Sequence, residues 1–64
     1  MRKYNIWKIG KSDEYCCQIE ANGQISALKK YAKGLLSSGE KWIDKTHKTL
    51  NTSYGAEFKA VETN

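Results

Sequence analysis

Few residues in this chain of 64 are suited to covalent or metal chemistry: adjacent Cys16 and Cys17, the single His47, and Asp44 three positions before it. A zinc centre needs about four nitrogen or sulfur ligands at recurring spacings, and a cysteine doublet with one histidine and no CxxC pair falls short of that. On a regular strand, neighbouring side chains point to opposite faces. Cys16 and Cys17 are therefore expected apart, the first a partly exposed thiol and the second a small core residue in a reducing compartment. A nucleophilic relay would need a thiol or serine beside His47 and Asp44, and no flanking signature marks such an arrangement. The expectation is a non-enzymatic protein with no catalytic residue, no metal, no cofactor and no small-molecule substrate. Glu14, Glu20, Glu40 and Asp44 read as surface charges.

Binding chemistry is better represented. The opening RKYNIWK alternates cations with flat side chains, and Trp7 with Lys8 and Lys11 follows the stacking-platform pattern of single-strand binders, where each stacked base contributes about 1–3 kcal/mol. Lys29, Lys30 and Lys33 are expected to share one flank of a helix, placed to run along a phosphate backbone. The formal charge is +4, with Arg2, Lys3, Lys8 and Lys11 unopposed before residue 12 and six lysines between residues 24 and 50 against Glu40 and Asp44. Such a balance favours polyanionic partners and argues against a negatively charged nucleic-acid mimic. No RRM, KH, zinc-finger or helix-turn-helix pattern is present. Nucleic acid is the favoured partner on charge. The rival, from a different class, is a protein-interaction or self-associating accessory module using an open sheet face or an unpaired edge strand.

These residues need a scaffold, and the stretch ANGQISALKKYAKGLLSSG supplies its clearest part. From Ile25, the apolar residues Ile25, Leu28, Ala32, Leu35 and Leu36 recur with helical spacing, with Tyr31 at one margin. A helix is predicted from about Gln24 to Ser37, capped by Asn22 and closed by Gly39. Before it, KYNIWKI reads as a strand with Tyr4 and Ile6 on one side and Trp7 and Ile9 on the other. A polar turn from Gly10 to Asp13 then leads into EYCCQIE, a second strand with Tyr15, Cys17 and Ile19 on one face. The two make an antiparallel hairpin. Residues 41 to 50 read as a third strand or a short helix capped by Ser38, residues 51 to 55 as a loop. AEFKAVE closes the chain as a strand with Ala56, Phe58 and Ala60 on one face and Glu57, Lys59 and Val61 on the other.

The predicted fold is thus α+β: a small antiparallel sheet of three or four strands, in the order β-β-α-(β)-β, with one amphipathic helix over one face. Residues 1 to 64 form one domain. The helix stripe is expected to meet Tyr15, Cys17, Ile19 and Phe58, and at least one of Trp7 and Trp42 is expected in the core. Nothing remains to cover the second face of the sheet, where Trp7, Ile9 and Val61 would make an interaction face or a dimer interface. An apolar share of 39% allows only one small core. No run approaches the ~20 apolar residues of a membrane span, and the N-terminal residues are too polar for a signal peptide, so a cytoplasmic location is expected. Ten lysines against one arginine point to an AT-rich genome, as in a low-GC bacterium or its mobile elements.

Overall fold

The computed structural model describes residues 1–35 and 40–63. Its elements are β1 (Arg2–Lys8), β2 (Glu14–Ala21), α1 (Gln24–Leu35), β3 (Lys41–Asp44), β4 (Thr49–Thr52) and β5 (Glu57–Thr63). The five strands form one antiparallel sheet in the order β2-β1-β5-β4-β3, with α1 laid across one face. This is the predicted α+β layer pair with one strand more than the largest sheet expected. The difference lies in residues 41 to 52, which form a hairpin rather than one strand or a short helix. Asp44 Oδ1 accepts the amides of Thr46 (3.0 Å) and His47 (3.1 Å), a side-chain-closed turn, and Lys48 completes the reversal at φ 54° in the left-handed region. Asn51 and Thr52, read as loop, belong to β4.

The inward face of the sheet follows the alternation of each strand. Tyr4 and Ile6 of β1, Leu50 of β4, and Phe58 and Ala60 of β5 are buried with Ala56 against Ala27, Leu28 and Tyr31 of the helix; Cys17, Ile19, Ala32 and Ile43 pack around them. Tyr31 stacks obliquely on Phe58, with ring centroids 5.1 Å apart. The buried stripe of α1 is centred on Ala27, Leu28 and Tyr31, leaving Ile25 only partly buried. Tyr31, placed at the margin by the sequence, is thus at the centre, because its ring reaches Phe58 across the layer. Neither tryptophan belongs to the core.

The first intrahelical bond runs from the Ala27 amide to the Gly23 carbonyl at 2.9 Å, which makes Gly23 the capping residue, one position after Asn22. The Leu35 side chain, Leu36, the helical end at Ser37, Ser38 and the closing role of Gly39 lie outside the described residues. No helix among the described residues is long and apolar enough to cross a membrane.

One irregularity changes which residues share a face. From Arg2↔Ala21 to Ile6↔Cys17 the β1–β2 register is regular, and then Trp7 pairs with Tyr15, leaving Cys16 as an extra residue in β2. A bulge of this kind reverses the alternation beyond it. Tyr15 therefore leaves the core-facing set with Cys17 and Ile19 and joins Trp7 on the outer face, where it is 54% exposed.

Candidate functional site

Among the described residues, no element lies over the face of the sheet away from α1. Register places Tyr15, Trp7, Lys59, Thr49 and Asp44 in one row across all five strands, and Gln18, Asn5 and Val61 in a neighbouring row. Trp7 and Tyr15 meet edge to face, with centroids 5.4 Å apart and planes at 71°, a favoured aromatic arrangement. Val61 and Ile9 are exposed, and Ile9 is held to the sheet by its amide, which donates to the Glu57 carbonyl at 2.8 Å. Trp42 lies toward the far edge of the same face, in the row of Asn51 and Glu57. Trp7, Ile9 and Val61 share this face, with Tyr15 beside Trp7 and Trp42 on it three strands away; Ile9, opposite Glu57, and Val61, opposite Asn5, stand about 13 Å apart along β5. Tyr15 was missed because nothing local in EYCCQIE marks the bulge.

Charge on this face is mixed. Lys3 and Lys59 alternate with Glu20, Glu57 and Asp44, and Lys59 and Asp44 are already paired, with Asp13 and His47 respectively. Lys59 Nζ sits 2.6 Å from Asp13 Oδ2, and that amine, together with the Gly10 amide, holds the Asp13 carboxyl below its ordinary range. Lys8 and Lys11 border a shallow hollow at the β1–β2 turn with Ile9 and Glu14. They stand near Trp7 in the chain, but Asp13 and Glu14 interrupt their field.

The helix lysines lie on the other layer. Lys30 turns toward β2, its Nζ donating to the Glu20 carbonyl at 2.7 Å. Lys29 and Lys33 turn toward β3, where with Lys41 they rim a groove of about 350 Å³ floored by Ala32, Ile43 and Leu50. Lys41 is fixed there by a 3.1 Å bond to the Ala32 carbonyl. The three helix lysines thus diverge around α1 instead of sharing a flank, since residues 29 and 30 differ by about 100° on the helix. Aromatic and cationic groups are segregated: stacking side chains on the open sheet face, net positive charge on the helix layer.

His47 and Asp44 form a local pair, Nδ1 to Oδ2 at 2.8 Å, in the β3–β4 turn. Cys16 is on β2, the opposite edge of the sheet, about 19 Å away by four strand spacings. Thiol and imidazole are therefore not partners. Hydrogen bonding and charge from Asp44 raise the His47 pKa, while His47 and the turn amides lower that of Asp44. The signs set a window. The raised histidine stabilises the turn below the unfolded value of about 6.5, and its contribution is lost as pH rises through the folded value. The depressed carboxylate contributes above about 3.9 and is lost as pH falls through its folded value. An NMR titration is expected to show His47 protonating above the ordinary histidine range, with Asp44→Asn returning it toward 6.5. An unchanged His47 midpoint in that variant would rule the pair out in solution.

No family model, curated protein or solved structure matches this chain. The surface must be read from its own geometry.

Proposed function

We propose that the protein is a non-catalytic, self-associating interaction module of the cytoplasm, which pairs with a second copy of itself through the open sheet face. The observation that carries this reading is the Trp7–Tyr15 pair, with Ile9 and Val61 exposed on the same mixed-charge sheet face. Exposed aromatic clusters of this kind are costly in water and common at the centre of interfaces. Two copies meeting face to face set cations and carboxylates of the same face against each other, while the helix layers, which hold the net charge, point away from one another. Like-charge repulsion is then small. The molecule measures 31 × 24 × 22 Å, so one face is near the ~800 Å² that each partner contributes to a standard interface. A chain with so small a core also gains stability from association.

The test is sedimentation over a concentration series. The wild type is expected to dimerise and Val61→Glu, a substitution at an exposed position, to be monomeric; both tryptophans of the variant should become more accessible to acrylamide. Wild-type protein that remains monomeric up to about 1 mM, where binding free energy is only about −4 kcal/mol, would overturn the proposal.

A second reading has its own support. Lys29 and Lys33 are exposed on the helix layer beside Lys41, a cationic surface that suits the phosphates of a nucleic acid. In this reading the helix layer provides positioning contacts without base readout. Trp7 projects from the outer face of the sheet while Lys8, the next residue of β1, alternates to the opposite side, so stacking on Trp7 and the helix phosphate contacts do not act on one strand together.

A further inference from the structure

We infer that Cys16 and Cys17 form a two-thiol site for a soft acceptor with two open coordination positions, such as a trivalent arsenical or a d10 metal ion. Adjacent cysteines on a regular strand diverge, but β2 is not regular here. Ile6 stands opposite Cys17 and Trp7 opposite Tyr15, so Cys16 has no partner of its own. The bulge removes the alternation that would separate the two side chains. Cys17 packs against the core cluster on the helix side of the sheet, and the Tyr31 hydroxyl of that cluster is held above its ordinary pKa by burial first and then by Cys16 and Cys17. With Cys16 unpaired at the bulge beside Cys17, the two side chains are free to turn to one side of the strand.

The surroundings suit a ligand pair. Both thiols are free, Cys16 is exposed and Cys17 partly buried, so an acceptor enters from solvent past Cys16 and closes onto Cys17. Burial, and after it the neighbouring Cys16, push the Cys17 thiol above its ordinary pKa, which disfavours a free thiolate nucleophile. Coordination offers both sulfurs a better outcome, since thiolates select soft acceptors. With an arsenoxide, two As–S bonds form, two S–H bonds break, and the arsenic-bound oxygen leaves as water with both protons. No electron is transferred. With a d10 ion, two S–metal bonds form and two protons pass to solvent. No group of three or more potential metal-ligating side chains occurs among the described residues, so the site favours acceptors satisfied by two sulfurs rather than a tetrahedral zinc.

Phenylarsine oxide is the direct probe, applied to the folded full chain and followed by native mass spectrometry. The expected product is one adduct per chain, retained in excess glutathione, a monothiol, and removed by 1,2-ethanedithiol. Cys16→Ser and Cys17→Ser should each lose the glutathione-resistant adduct. Cys16→Ser alters an exposed side chain, so its circular dichroism should remain that of the wild type, separating loss of a ligand from loss of fold. An adduct that forms only in denaturant, or that glutathione strips from the folded protein, would overturn the site. A parallel competition for Cu(I) against bathocuproine disulfonate distinguishes the acceptors: retention extends the site to d10 ions, and loss of copper with a stable arsenical adduct confines it to arsenicals.

Discussion

Leu28→Ala is expected to remove about 2–5 kcal/mol of folding stability, most or all of what the domain has. Leu28 is fully buried at the centre of the helix–sheet contact, and the largest side chains buried to this degree are Ile6, Leu28 and Leu50. The buried cluster it shares holds four alanines, Ala21, Ala27, Ala56 and Ala60, beside its larger side chains, and alanines cannot swing into the space a missing isobutyl group leaves. The loss is therefore transfer energy plus a cavity that does not collapse. Chemical denaturation followed by circular dichroism measures it, and the variant should be largely unfolded at temperatures where the wild type is folded. A cooperative transition with an unchanged midpoint would show that α1 does not pack as described. Ile25→Ala provides an internal comparison. Ile25 lies at the partly buried margin of the same helix, so its truncation should cost clearly less than that of Leu28, although the sequence places the two on one stripe.

The contrast between Ile25 and Leu28 shows what the sequence could and could not reveal. Apolar spacing identified α1 and its burial, because a 3.6-residue period survives any choice of neighbour. The centre of the stripe depended on Tyr31 reaching Phe58, a contact across 27 positions, and no local pattern encodes it. Strand β5 was legible down to its faces, since Phe58 and Ala60 alternate with Glu57, Lys59 and Val61 without interruption. The β3–β4 hairpin was not, because its strands have only four residues each and its turn is closed by the Asp44 side chain rather than by a glycine. The bulge at Cys16 had the widest consequence. It moved Tyr15 to the outer face and left Cys16 unpaired beside Cys17, yet it arises from the register with β1, which is a property of the pair of strands.

Segregation of cations from aromatics also sets what nucleic-acid titrations should show. If the helix layer meets phosphates through Lys29 and Lys33, with Lys41 at the groove rim, about three phosphates are neutralised, and log affinity should fall against log salt with a slope near −2 on single strands and near −2.7 on duplex. Between about 50 and 200 mM salt that is a loss of roughly 20- to 40-fold. Lys29→Ala combined with Lys33→Ala should make the slope shallower by about two phosphates' worth, while leaving the fold intact, since both side chains are exposed. Lys30→Ala should change it less, because that side chain turns toward β2, away from the groove of Lys29, Lys33 and Lys41. Trp7→Ala provides the opposite control. On a stacking platform it would weaken single-strand binding by the contribution of a stacked base, about 1–3 kcal/mol, whereas a phosphate surface on the helix layer leaves binding unchanged. Fluorescence anisotropy of labelled oligonucleotides measures all of these slopes. No saturable binding below about 100 μM, where non-specific DNA binders already associate, would remove nucleic acid as a partner. A steep salt slope that survives loss of both Lys29 and Lys33 would move the phosphate contacts away from the helix, to the cations around Lys8 and Lys11.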